Sequence, residues 1–231
     1  VAGMSQEWYE ARMFEASRTN LSTEFEPTLN LGDPSTMSNN ATYSSWALRS
    51  GFGRVSYNYD ERYLLEANIR YDLSSRFHKS VRGGWFPSVS AGWRISEEPF
   101  MSFAKSIVDN LKIRGSWGML GNQYVGSSDY PYMSVLEAFT SGLSLIGTSA
   151  STGYAPSTLA NPNLTWEHIK MVNAGVDVAL LQNRLTMSFD WFNKDTEGIL
   201  LKLNYPAQIG PKPSEQNAGK VNNRGWEFDL N

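Results

Sequence analysis

The sequence predicts an all-β fold: an antiparallel sheet that forms a segment of a transmembrane β-barrel. Three observations predict it. The first is strict alternation. From Gly53 to Tyr59 the odd positions read Gly, Val, Tyr, Tyr, and the even ones are Arg54, Ser56 and Asn58. After Asp60-Glu61-Arg62, Tyr63, Leu65, Ala67, Ile69 and Tyr71 share one face, and Glu66, Asn68, Arg70 and Asp72 the other. Period-two alternation is the mark of a strand with two unlike faces. The second is loop length: the links at 60–62 and 181–184 are short, those at 4–45, 73–84, 119–163 and 194–223 are longer, and the intermediate link at 96–110 falls on the short side of the alternation. Short turns at one rim and long loops at the other characterise outer-membrane barrels. The third is segment length, about 9–11 residues, which suits a tilted crossing of the hydrocarbon core.

The elements follow in order. Residues 1–3 read as the tail of a strand, and 4–45 as a long connection. Within it, Ser5–Ser17 has helical character, with Trp8, Ala11 and Phe14 at spacings of three and Ser5 as N-cap. The first full strand is expected from Trp46 to Tyr59, the second from Tyr63 to Asp72. Pairing Tyr59 with Tyr63 places Tyr57 opposite Leu65, Val55 opposite Ala67, Gly53 opposite Ile69, Ser56 opposite Glu66 and Arg54 opposite Asn68. These pairs are chemically matched, which supports the register. Strand three runs from Trp85 to Ile95, followed by a short helix over Met101–Val108. Strand four is Leu111–Gly118, strand five Leu164–Leu180, and strand six Leu185–Asn193. The 194–223 connection has room for a short strand at Gly198–Leu203, and a last strand begins near Arg224. Both ends interrupt alternating segments, so the chain is expected to be an interior piece of a longer one.

Composition narrows the function. The 231 residues include no cysteine and only two histidines, His78 and His168, so neither a disulfide framework nor a thiolate metal site is available. A net charge of -3 gives no basic surface for nucleic acid. Mean hydropathy is -0.40 and no apolar run reaches the length of a spanning helix. That says nothing against a barrel, because alternation conceals apolar content from an average. Alternation alone also fits a soluble carbohydrate-binding β-sandwich, which would bury the apolar face in a protein core.

No catalytic constellation is visible, and an enzyme is not expected. Gly115–Gly121 is glycine-rich but lacks the spacing and the following helix of a phosphate cradle. Glu97 and Glu98 are adjacent and cannot flank a scissile bond from opposite sides. No metal or cofactor is expected. Tyr124, Tyr130, Tyr132 and Tyr154, in the longest connection, are the candidate substrate-binding residues, since exposed aromatic faces stack on ligand rings. Packing of the loop against its neighbours is the preferred reading for any single one of them. Arg54, Glu66, Asn68 and Arg70 are the candidate lumen-facing residues, expected to form a structural hydrogen-bond network more than a permeation path.

Several segments resemble, in order, the SusC/RagA family of TonB-linked outer-membrane transporters. They are Gly51–Phe77, Phe86–Glu98, Leu111–Gly118 with Gly121-Asn-Gln123, Asn161–Glu167, Asn173 with Gly175, Asn183-Arg-Leu185, and Asn222–Phe228. Leu73 departs from the family's usual glycine before Ser-Ser-Arg-Phe. The resemblance implies about seven or eight strands of a larger, roughly 22-stranded plugged barrel. It implies location in the outer membrane of a Gram-negative cell and import of an oligosaccharide or peptide. It further implies a SusD-like surface lipoprotein as lid and energy from the TonB complex. The plug and the TonB-contacting segment would lie outside residues 1–231.

Overall fold

The computed structural model describes residues 1–23, 25, 27–124, 126, 129–139, 145–146, 149–150, 153–202, 206, 210 and 212–231. Eight strands form one antiparallel sheet: β1 (Ala2–Ser17), β2 (Ser38–Tyr59), β3 (Tyr63–Ser74), β4 (Gly83–Arg94), β5 (Val108–Asn122), β10 (Glu167–Leu180), β11 (Leu185–Lys202) and β12 (Glu215–Leu230). Sequence neighbours are also sheet neighbours throughout, an up-and-down meander. The connection between β5 and β10 carries four short strands, β6 (Leu136–Phe139), β7 (Leu145–Ile146), β8 (Ser149–Ala150) and β9 (Gly153–Pro156), paired as β6 with β9 and β7 with β8. The eight-stranded sheet does not close on itself: β1 and β12 are its edges.

The hairpin β2–β3 has the expected register, from Tyr59 opposite Tyr63 through Val55 opposite Ala67 to Gly53 opposite Ile69. Its turn is closed by the Arg62 N–H on the Tyr59 carbonyl, with Asp60 and Glu61 both at positive φ. The β10–β11 turn is equally tight, with Leu181, Gln182 and Asn183 all left-handed.

Several boundaries move. Ser5–Ser17 is not helical: it lies in β1, paired along its whole length with β2 from Gly53 to Ser38. Strand β2 begins at Ser38, not Trp46, so 4–45 is not one long connection. Likewise β11 runs on to Lys202 and β12 starts at Glu215, where a loop over 194–223 was expected. The proposed strand at Gly198–Leu203 is the end of β11, and Leu203 itself lies outside the described residues. One cause explains all four cases. A membrane crossing takes about 9–11 strand residues, whereas β2 has 22 and β11 has 18. The surplus projects beyond the hydrocarbon, where neither face must be apolar, so the ladder persists while alternation fades. β5 is also longer than expected, and β10 starts at Glu167 instead of Leu164. The helix expected at Met101–Val108 is a 3-10 turn at Pro99–Ala104.

The links at 60–62, 95–107 and 181–184 share one rim, and those at 18–37, 75–82, 123–166 and 203–214 share the other. The buried apolar cluster sits at the long-loop rim: Phe77, Phe86, Leu164 and Trp166, flanked by Leu48, Val81, Met119 and Leu200. Pairing of β4 with β5 stops at Ser88–Gly118, and Phe86 occupies the space beyond. A Cβ on Gly121 would stand 2.1 Å from the Phe86 ring, so only glycine fits there. Trp166 Nε1 donates to the Arg82 carbonyl (3.0 Å), and the Asn217 side chain bonds both backbone groups of Thr165. These bonds pin the start of β10 to the 75–82 loop and to β12.

Candidate functional site: a two-faced sheet and its loop rim

Alternation and register give the sheet two chemically opposed faces. On the apolar face, aromatics mark two levels. Tyr59, Tyr63 and Trp93 form a run at the short-turn rim, with ring centroids 6.3 and 6.4 Å apart. Tyr71 and Trp85 meet at 4.6 Å, tilted by 40°, toward the other rim. Between them Val55, Leu65, Ile69 and Val89 remain exposed, Val55 by 70%. Among the described residues no second sheet covers them, which sets the sandwich aside. The face continues through Ile113, Val176, Phe189 and Trp226, where Phe189 and Trp226 stack at 6.4 Å.

The opposite face is a lattice of paired charges. Arg54 Nη2 donates to Glu66 Oε2 (2.5 Å), and Asn68 Nδ2 donates to Glu66 Oε1 (3.0 Å) and to Ser88 Oγ (3.4 Å). Arg70 bonds Asp72 (2.7 Å) and Ser50 Oγ (2.8 Å). All four residues singled out from sequence thus lie on one face, in two adjoining clusters. A third cluster was not singled out. Arg114 Nη2 donates to Asp190 (2.6 Å), Nε to Asp177 (3.1 Å) and Nη1 to Asn173 (3.4 Å), tying β5, β10 and β11 together. Gly175 leaves room for it: a Cβ there would come within 2.6 Å of Asp190 Oδ1 and 2.8 Å of Arg114 Cζ. Arg114, Asp177 and Asp190 each fall on the polar side of their own alternating segment. Register prediction across β5, β10 and β11 would have brought them together.

The four tyrosines do not converge. Tyr130 and Tyr132 are half-buried and meet edge-on at 6.2 Å, and Tyr132 also meets the His78 ring at 5.8 Å. Tyr124 and Tyr154 are exposed by 66% and 72%, and among the described residues no ring contact joins them to that pair. Beside Tyr130, Asp129 accepts from Ser44 Oγ (2.5 Å) and the Ser45 N–H (2.9 Å) and meets Arg76 Nη2 at 3.3 Å. Arg76 in turn lies 5.4 Å over the Trp46 ring. This latch fastens the first part of the 123–166 connection to β2 and to the 75–82 loop. Among the described residues no cluster of three His, Cys, Asp or Glu side chains is arranged to hold a metal.

Comparison with known families decides the fold's identity: residues 3–231 match the family model described as TonB dependent receptor-like, beta-barrel. The chain belongs to the TonB-dependent receptor β-barrel family. It is 35% identical over 80% of its length to TonB-dependent receptor P39 of Formosa agariphila, covering 17% of that protein. It is 34% identical over 80% of its length to TonB-dependent receptor SusC of Bacteroides thetaiotaomicron, covering 18%. A chain in the structure of the RagAB peptide transporter superposes on 99% of it with a TM-score of 0.85 at 25% identity, and the match spans 25% of that chain. The chain therefore spans less than a fifth of these two curated relatives and a quarter of that solved structure. The SusC/RagA resemblance holds, and the sheet is an outer-membrane β-barrel segment of a TonB-dependent receptor.

Proposed function

We propose that this chain is part of the barrel wall of an active nutrient importer. In that importer an oligosaccharide or peptide crosses the outer membrane at the expense of energy delivered by the TonB complex. A SusD-like surface lipoprotein would sit over the long-loop rim, and the plug and TonB-contacting segment would lie in the rest of the receptor. The single observation that carries the reading is the two-faced sheet within this family. An exposed apolar band between two aromatic levels suits lipid, and a paired polar lattice suits a water-filled lumen. Arg54, Glu66, Asn68 and Arg70 then face the lumen and act as structural cross-links, because each is already held by a neighbour. Tyr124 and Tyr154 are the tyrosines free to meet a substrate, while Tyr130 and Tyr132 hold the loop in place.

Similarity to SusC and to the RagAB peptide transporter supports import and leaves both substrate classes to be tested. The test is growth of a strain lacking the receptor on panels of defined oligosaccharides and peptides, with affinity purification of the tagged receptor. Loss of growth on one substrate class, and co-purification of a surface lipoprotein, are expected. Unchanged growth and uptake on every member of both panels would refute the proposal.

A further inference from the structure

The β4–β5 link carries an apolar segment that the transport reading does not use. It leaves the sheet at the short-turn rim through Glu98, a buried carboxylate. One oxygen of Glu98 accepts from Tyr63 Oη (2.7 Å) and from Trp93 Nε1 (3.0 Å), and Arg62 stands 3.7 Å from the other. Tyr63 and Trp93 are the rim aromatics of the apolar face. The link is thus tied directly to the level where that face ends.

Beyond Glu98, the 3-10 turn Pro99–Ala104 presents its two phenylalanines outward. Phe100, Phe103 and Ile107 are exposed by 59, 81 and 56%. The neighbouring turn joins them: the Leu181 N–H donates to the Ile107 carbonyl (2.9 Å), and Leu181 is 53% exposed. Lys105, exposed and 3.9 Å from the Glu97 carboxylate, adds a cation within the same segment. Phenylalanines, a long aliphatic and a lysine on one short element are the composition of an interfacial anchor, in which apolar groups enter the acyl boundary and the ammonium reaches the headgroups.

We propose that Pro99–Ile107 is a membrane foot, seated in the headgroup layer of the phospholipid leaflet at the short-turn rim, the periplasmic leaflet of the outer membrane. Phospholipid is the occupant because Glu98 bonds the head of the segment directly to Trp93 and Tyr63, the rim aromatics of the lipid-facing surface. The foot would fix the height of the barrel in the bilayer and keep this rim from sliding toward the periplasm. The inference rests on the assignment of the apolar face to lipid.

The test uses the intact receptor in nanodiscs of phosphatidylethanolamine and phosphatidylglycerol. The chain contains no cysteine, so a single cysteine at Phe103→Cys, in a receptor otherwise cleared of cysteine, can carry a bimane label. Quenching by nitroxide-labelled lipid is compared with quenching by aqueous iodide. Ile69→Cys reports the lipid band and Lys79→Cys the water-exposed long-loop rim. The Phe103 label is expected to be quenched by shallow nitroxide lipid at least twofold more than the Lys79 label, and less by iodide. Iodide quenching equal to that at Lys79 without lipid quenching would overturn the foot. So would shielding from both quenchers, which would mean that protein, a second copy or a periplasmic partner, covers the patch. Absence of lipid quenching at Ile69 would instead refute the lipid-face assignment. If Phe103→Cys fails to fold, Ser102→Cys places the label on the same turn and is read by the same criteria.

Discussion

A charge placed at the centre of the apolar face measures whether that face meets lipid. Tyr63 and Tyr71 mark the two aromatic levels and lie eight positions apart on β3. At about 3.4 Å per residue that is about 27 Å along the strand. A tilt of about 40° reduces it to about 20 Å of height, close to the apolar band of outer-membrane barrels. Ala67 is the midpoint and Val55 its partner on β2, so Val55 lies about 10 Å from either aromatic level by the same geometry. An arginine at the midplane of a lipid-facing surface costs about 2–4 kcal/mol. Val55→Arg should therefore lower the folding equilibrium constant of the receptor roughly 30- to 1,000-fold, at about 1.4 kcal/mol per tenfold. Asn68→Arg, next to Ala67 but on the polar face, should cost less than about 1 kcal/mol, since lumen-side changes tune selectivity more than stability. The assay is urea-dependent folding into phospholipid vesicles, followed by tryptophan fluorescence and by the mobility of unboiled protein on a gel. The decisive quantity is the difference between the two variants. If Val55→Arg costs no more than Asn68→Arg, the apolar face does not meet lipid and the two-faced reading of the wall fails.

Further outcomes test the polar lattice, the rim and the packing. Arg114→Met leaves Asp177 and the largely buried Asp190 without their shared donor, and should destabilise the receptor by about 1–3 kcal/mol in the same urea assay; an unchanged midpoint would remove the cluster from the account. The bonds from Tyr63 and Trp93, with Arg62 nearby, hold the Glu98 carboxyl below its ordinary value of 4.5. A depressed carboxyl stabilises above its unfolded value and loses that contribution as pH falls through the folded one. The stability gap between the wild type and Glu98→Gln should be full near neutrality and shrink below pH 4.5, and a gap that stays constant down to acid pH would contradict the assignment. Gly121→Ala drives a methyl into the Phe86 ring and should cost about 1–3 kcal/mol, relieved when Phe86→Leu is added; no cost, or no relief, would mean that the contact does not constrain the site. Asp129→Ala removes the latch on the long connection, and opening at about 1–3 kcal/mol less should speed proteolysis within residues 123–166 about 5- to 150-fold; unchanged cleavage would show that the connection is held elsewhere.

How much of this was legible in the sequence depends on where lipid imposes a pattern. The β2–β3 register was readable pair by pair because Val55, Tyr57, Leu65 and Ile69 must all face one way and the link 60–62 is too short to permit slippage. The same constraint made the polar alternation of Arg54, Glu66 and Asn68 readable, and in the structure Arg54 and Glu66 form an ion pair. It is absent from Ser38–Ser45 and from Glu215–Asn223, where polar residues fill both faces and only the backbone ladder records a strand. In β1 the spacing of Trp8, Ala11 and Phe14 imitates a helix, although Trp8 and Phe14 share one strand face and Ala11 lies on the other. The Arg76–Asp129 latch left no signal at all. Both residues lie in irregular segments far apart in sequence, and no periodicity relates one loop to another.

The distribution of pairing along the wall bears on where selectivity arises. On the polar face Arg54, Arg70 and Arg114 are each bonded to at least one carboxylate on the same or a neighbouring strand. A charge neutralised at hydrogen-bond distance projects little field into a lumen filled with water and salt, because the pair presents a short dipole and screening removes the rest within about 10 Å. Such a wall resists deformation, since each of these arginines cross-links the sheet through its bonds. Beyond the wall, Tyr124 and Tyr154 of the 123–166 connection are exposed, and Asp129 fastens the first part of that connection to β2. In the proposed importer a cross-linked wall beneath this loop would divide the work: the strands would hold the opening, and the loop rim would supply the surfaces that tell one solute from another.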